Sequence, residues 1–191
     1  MTVLVGSYGE AQMTASWIVL TYMHLSFMPA VGLSVATNSL VGKYIGAGKP
    51  DVAVKRARLS LIVAMSYMTL CTIIFIVFRN PLVQLFIGGD ATVEEIDVII
   101  VIGSQLMICA AFFQTVDSIG IVYTGALRGA GDTKWPSMIT VIFSWTLIVG
   151  LGWVISNIWP ELQALGPWIG AAIYVIAFGI TMGIRFELGA W

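Results

Sequence analysis

The chain has 191 residues, 59 % of them hydrophobic and 10 % charged, whereas a soluble domain carries about a quarter charged residues. Nine Lys and Arg balance ten Asp and Glu, so there is no electrostatic footprint for nucleic acid, and none is expected as a partner. The two cysteines, Cys71 and Cys109, each lie inside an apolar run, which excludes a disulfide framework and a CxxC metal site.

A bilayer core of about 30 Å needs roughly 20 apolar residues per helix, because each backbone polar group must be satisfied within the segment. Met1 to Gly6 lack the basic region and long apolar core of a signal peptide and read as the stub of a longer chain. Five segments then qualify as spans, at about 13–41, 59–78, 98–124, 138–158 and 166–184. The fold expected is all-α and integral to the membrane, a bundle of about five transmembrane helices.

The segment ends carry local signals. Gly46 and Gly48 close the first helix and Pro50 opens the next segment, leaving a short basic loop from Lys49 to Arg58. Asn80-Pro81 begins a brief helical stretch, Pro81 to Ile87, ended by Gly88-Gly89. Thr92 to Glu95 has the form of a capping box for the third helix. Arg128-Gly129 ends that helix and Pro136 opens the fourth. The inner loops share a Gly-Ala-Gly echo, at 46–48 and 129–131. A phosphate loop would need a strand before it and a helix N-terminus after it, whereas both triplets follow helix C-termini.

Eight of the nine basic residues fall on alternate loops: Lys43, Lys49, Lys55, Arg56 and Arg58, then Arg128 and Lys134, then Arg185. The positive-inside rule places those loops and the C-terminus in the cytoplasm, so a multi-pass protein of the inner (plasma) membrane is expected. Trp17, Trp159 and Trp168 near the outer ends, with Tyr44 and Trp135 near the inner ends, suit aromatic belts.

Asp117 is the only acidic residue inside the five apolar runs. An ionised carboxylate near the bilayer centre costs about 2.5 to 3.5 kcal/mol, so it should face a cavity or a partner and can bind a proton or cation. The bland alternative is an Asp that bonds a neighbouring helix. Phe113, Gln114, Gly120 and Ile121 share its helical face, where Gln114 offers amide groups for coordination and Gly120 leaves room. Pro29 lies within the first helix and frees the Leu25 carbonyl, which predicts a kink and a gate. His24, the single histidine, is either a packed hydrogen-bonded group or a proton relay. Beyond Na+ at Asp117 no metal site is expected, and no Ser/His/Asp or Cys/His constellation suggests an enzyme.

Two stretches carry a family resemblance. Ser26 to Ala53, SFMPAVGLSVATNSLVGKYIGAGKPDVA, resembles the second helix and exit of a lobe of the MATE (multidrug and toxic compound extrusion) transporters. Asp117 to Pro136, DSIGIVYTGALRGAGDTKWP, is similar to the fourth helix of their C-terminal lobe, with an acid placed before Gly-Ala-Leu-Arg-Gly. The ending Arg185 to Trp191 is similar to the charged tail of that family. The resemblance implies a twelve-helix exporter of two six-helix lobes, of which residues 1–191 would be most of the C-terminal one, truncated at its N-terminus. Its partners would be the missing N-terminal lobe, the lipid bilayer and amphiphilic organic cations, exported by antiport with Na+ or H+ and without a cofactor. Asp117 matches the membrane acid of the sodium-coupled branch, whereas Phe113 stands where some members have a tyrosine. The alternatives are a lipid-linked sugar flippase of the same superfamily, which the lack of Lys and Arg inside the spans disfavours, and a non-transport membrane partner subunit.

Overall fold

The computed structural model describes residues 10–87, 93–162 and 165–189. All regular structure among them is helical: α1 (Glu10–Gly46), α2 (Pro50–Val77), α3 (Arg79–Leu85), α4 (Val93–Gly129), α5 (Lys134–Phe143), a π-helical segment (Ser144–Leu151), α6 (Gly152–Ile158), a single 3-10 turn (Pro160–Leu162) and α7 (Leu165–Glu187). Five helical stretches are long and apolar enough to cross a membrane: α1, α2, Glu95–Gly129 of α4, the continuous run Lys134–Ile158, and α7. The protein is a multi-pass membrane protein. The expected capping box begins at Thr92, outside the described residues.

The helices overrun the apolar runs. Lys55, Arg56 and Arg58 stand in the first turns of α2, not in a loop. Pro50 occupies the first helical turn, where no intrahelical donor is lost, and Lys and Arg are good helix formers. For the same reason α3 starts at Arg79 and tolerates Pro81 in its first turn.

α4 is the central helix, packed on α1, α2, α3 and α7. It runs parallel to α1, as the pairs Ser26–Gln114 and Ser34–Ile121 show. The crossing of α1 and α4 is close because glycines remove side chains from it. A Cβ on Gly125 would collide with the Ser34 carbonyl oxygen, one on Gly129 with the Asn38 carbonyl, and one on Gly42 would lie 3.2 Å from the Gly129 oxygen. Lipid supplies no hydrophobic drive between helices, so such close van der Waals contact and interhelical bonds hold the bundle. The Ser34 hydroxyl donates to the Ile121 carbonyl at 2.7 Å across this contact. On α2 the buried stripe Ala53, Ala57, Ser60, Ala64 and Met68 is built on the same principle.

Two apolar clusters result. One gathers Val19, Tyr22, Phe75, Val83, Leu106, Phe113 and Trp168 among others. The second, at the end carrying the basic residues, gathers Val41, Ala57, Tyr123, Leu127, Met182 and Phe186. Trp168 is only 1 % exposed and reaches the Ser16 hydroxyl at 3.4 Å, so it belongs to the core and not to an aromatic belt. Trp17 and Trp159 do lie on the surface.

The Gly-Ala-Gly echo is one cap used twice. Lys49 N–H bonds Tyr44 O and Gly48 N–H bonds Ile45 O, while Asp132 N–H bonds Leu127 O and Gly131 N–H bonds Arg128 O. These pairs form the Schellman motif, and Gly48 and Gly131 supply its left-handed residue at φ 70° and 94°. Gly131→Ala is expected to cost about 1 kcal/mol, since a Cβ is strained at positive φ, although no atom blocks it. A drop of a few degrees in thermal midpoint, with ion pairing and insertion intact, is the result to look for.

The fourth span is not a uniform α-helix. Pro136 near its start and Gly152 and Ile155 near its end are buried. Pro136 and Gly152 are sixteen positions apart, which in a pure α-helix would set them about 160° apart around the axis. The intervening eight π-helical residues turn less per residue and bring both buried ends toward the bundle. Gly170 of α7 then meets Gly152, where an added Cβ would sit 3.1 Å from the Gly152 Cα.

Candidate functional site

The midsection of α4 lies between the two apolar clusters, and there α1, α2 and α4 leave a cavity of about 180 Å3. It is lined by Leu20, Met23, His24, Ser26 and Phe27 of α1, Met68 of α2, and Gln114 and Asp117 of α4. Thus the three polar residues singled out in sequence, Asp117, Gln114 and His24, meet at one cavity. The parallel register of α1 and α4 brings them together.

Each is held differently. Gln114 is 3 % exposed and its amide donates to the Ser26 hydroxyl at 2.7 Å. Ser26 in turn donates to the Met23 carbonyl at 2.9 Å. The amide nitrogen is therefore committed to tying α4 to α1, and the ligand Gln114 can offer is its carbonyl oxygen. His24 Nδ1 lies 2.8 Å from the Leu20 carbonyl. A carbonyl only accepts, so Nδ1 is the donor of this bond and Nε2 is left outside it.

Asp117 has no basic partner among the described residues, and the ion pairs Arg58–Glu187 and Arg185–Asp132 lie away from it. Its position is half-buried in the wall of a largely apolar cavity. A carboxylate so placed can stay charged only if a mobile cation, water or polar ligand compensates it, and otherwise takes up a proton. Tyr174 of α7 lies within electrostatic range of it and close to Ser144, the first residue of the π-helical segment. Sequence spacing alone does not reveal Tyr174, because it is contributed by a different helix.

Other neighbours of Asp117 along the helix serve packing. Phe113 is 2 % exposed in the first cluster. Gly120 does not open the cavity: a Cβ there would lie 2.8 Å from the Phe178 ring, so its role is the approach of α7 to α4. Pro29 is on the exposed side of α1, and the helix continues through it without interruption.

The MatE family model matches residues 1–154, about four fifths of the chain. The chain belongs to the MatE family. Among its relatives, the multidrug resistance protein MdtK of Edwardsiella ictaluri is 31 % identical over 191 residues, 98 % of this chain and 40 % of that protein. The probable multidrug resistance protein NorM of Thermotoga maritima is 35 % identical over 168 residues, 87 % of this chain and 34 % of that protein. A solved structure described as MATE in the bent conformation matches with a TM-score of 0.86 at 16 % identity, covering 99 % of this chain and 40 % of that one. At that identity the match speaks for the fold. This MatE chain spans 34 to 40 % of the length of these proteins.

Proposed function

We propose that this MatE chain forms most of the C-terminal lobe of an inner-membrane antiporter that exports amphiphilic organic cations against Na+ or H+. The observation that carries the reading is Asp117, a half-buried carboxylate without a basic partner among the described residues, on the wall of a cavity that it shares with Gln114, Ser26, His24 and the apolar Leu20, Met23, Phe27 and Met68. Its charge is compensated in turn by the coupling ion and by the exported cation as access alternates. A proton needs only the carboxylate. Sodium would take carboxylate oxygen and the Gln114 carbonyl and complete its shell with water. His24 Nε2 on the same wall can accept a proton and hand it on. Pro29, on the exposed side of α1, serves as the point where that helix bends during the change of access.

The cavity lining has no Lys or Arg among the described residues, which weighs against a lipid-linked sugar flippase, since a pyrophosphate needs basic groups. The test is a full-length transporter carrying this sequence, reconstituted in proteoliposomes loaded with a fluorescent organic cation. Efflux driven by an imposed Na+ or H+ gradient, applied separately, is expected under one of the two. Efflux under neither would reject the reading.

The sidedness rests on the basic residues, which the contacts Gly42–Gly129 and Arg58–Glu187 gather at one end of the bundle. Lys55, exposed in the first turns of α2, is the reporting position. Lys55→Cys is expected to resist an impermeant maleimide in intact cells and to react after permeabilisation. Labelling without permeabilisation would invert the topology.

A further inference from the structure

A second cavity, of about 260 Å3, opens at the basic end of the bundle between the start of α5 and the end of α7. Its lining is Trp135, Thr181, Ile184, Arg185 and Leu188. We propose that this cavity binds the phosphate headgroup of an anionic membrane lipid.

The lining is split in the way a lipid is split. Ile184, in the final turn of a membrane-spanning helix, and Leu188, just past its end, are exposed apolar side chains, 55 % and 75 % accessible. Trp135 covers the inner wall, and the Arg185 guanidinium lies over its ring at 5.0 Å. Thr181 adds no free donor, because its hydroxyl is given to the Ala177 carbonyl at 2.6 Å. Arg185 is therefore the polar group of the site. Its Nε and Nη2 contact Asp132 Oδ2 at 3.1 and 3.0 Å.

Both contacts end on one carboxylate oxygen, so the pair orients the guanidinium and uses at most a few of its five N–H donors. The Arg185 side chain remains 29 % exposed against 13 % for Asp132, so the cation and not its counter-ion faces outward. Lys134 is exposed next to Trp135 in the first turn of α5 and adds a second positive charge. Lys134 is outside the cavity lining but next to it in sequence, so Lys134 and Arg185 against Asp132 give the rim one net positive charge. A basic, aromatic-walled recess between helix ends, at the level where headgroups lie, is the chemistry that selects an anionic lipid over a zwitterionic one. This reading is independent of whether Asp117 couples ions.

The test uses the full-length transporter carrying this sequence, purified in detergent, with retention of phosphatidylglycerol and phosphatidylcholine measured by native mass spectrometry. Preferential retention of phosphatidylglycerol is expected. Lys134→Gln, at an exposed position outside every ion pair described above, should lower that preference about fivefold, the effect of one basic side chain near an anionic surface. Asp132→Asn should raise it, because the amide still bonds Arg185 but no longer cancels its charge. That opposite sign separates a ligand site from a structural clasp, which both substitutions could only leave alone or weaken. Equal retention of the two lipids, no change in Lys134→Gln, or a fall in Asp132→Asn would overturn the proposal. Displacement of the lipid by millimolar inorganic phosphate would overturn it too, by assigning the site to a soluble anion.

Discussion

Asp117→Asn is expected to abolish ion-driven export in a full-length transporter carrying this sequence while leaving the protein folded and inserted. The asparagine keeps the shape of the side chain and most of its hydrogen bonding, but it cannot ionise. The described surroundings contain no basic group that would be orphaned by the change, since the ion pairs lie elsewhere, at Arg58–Glu187 and Arg185–Asp132. Folding therefore loses little. Coupling loses the one charge on the cavity wall that a cation can neutralise. A fall of at least about tenfold in gradient-driven efflux is expected, which corresponds to about 1.4 kcal/mol of lost ion interaction. The measurement is efflux from proteoliposomes at matched protein levels. Wild-type efflux from the asparagine variant would return Asp117 to the packing role that any membrane Asp can have.

Gly125→Leu is the second large effect, and it acts on stability. The added Cβ would overlap the Ser34 backbone carbonyl, which cannot rotate away as the end of a flexible side chain can. α1 and α4 must then part, and the Ser34 to Ile121 hydrogen bond at 2.7 Å is lost with the contact. Overpacking costs about 1 to 3 kcal/mol in ordinary cores, and a backbone obstacle places this variant at the upper end or beyond. A thermal midpoint lowered by ten degrees or more, or failure to accumulate in the membrane, is expected. Gly32→Ala is the control. Nothing lies within 4 Å of a Cβ at Gly32, so that change should be neutral or stabilise by up to about 1 kcal/mol. Equal damage from both would mean that the close crossing is not what holds the two helices.

The five spans were legible in the sequence because a lipid solvent imposes one requirement on every segment, and hydropathy measures it directly. The helix end at Gly48 is legible as well, because positive φ restricts the residue type, whereas the left-handed residue after the third span is Gly131, two positions beyond the Arg128-Gly129 end that the sequence suggests. What pairs with what was not legible. Gln114 and Ser26 are 88 positions apart, and no local spacing states that α1 and α4 run side by side in parallel register. For that reason the sequence does not assign His24 to the Asp117 cavity. Spacing suggests room at Gly120 beside Asp117, since it gives the face of a helix but not the neighbour that this face meets. The same gap hid the role of Gly125 and Gly129 in the motif Gly-Ala-Leu-Arg-Gly, whose glycines serve the approach of α1. The basic stretch from Lys49 to Arg58 is helical from Pro50 onward and not a loop, because charge marks the bilayer boundary and not the end of a helix that continues past it.

The π-helical segment Ser144–Leu151 bears on how this span can be compared between related sequences. An α-helix with one residue removed rotates everything beyond the deletion by about 100°, which takes a buried face off its partner. A stretch already wound with surplus residues can lose one by tightening a single turn, keeping Pro136 and Gly152 on the same side. Relatives that differ by one residue in this span are therefore correctly aligned with the gap placed inside 144–151, and a gap moved to either flank would pair residues that face the bundle with residues that face lipid.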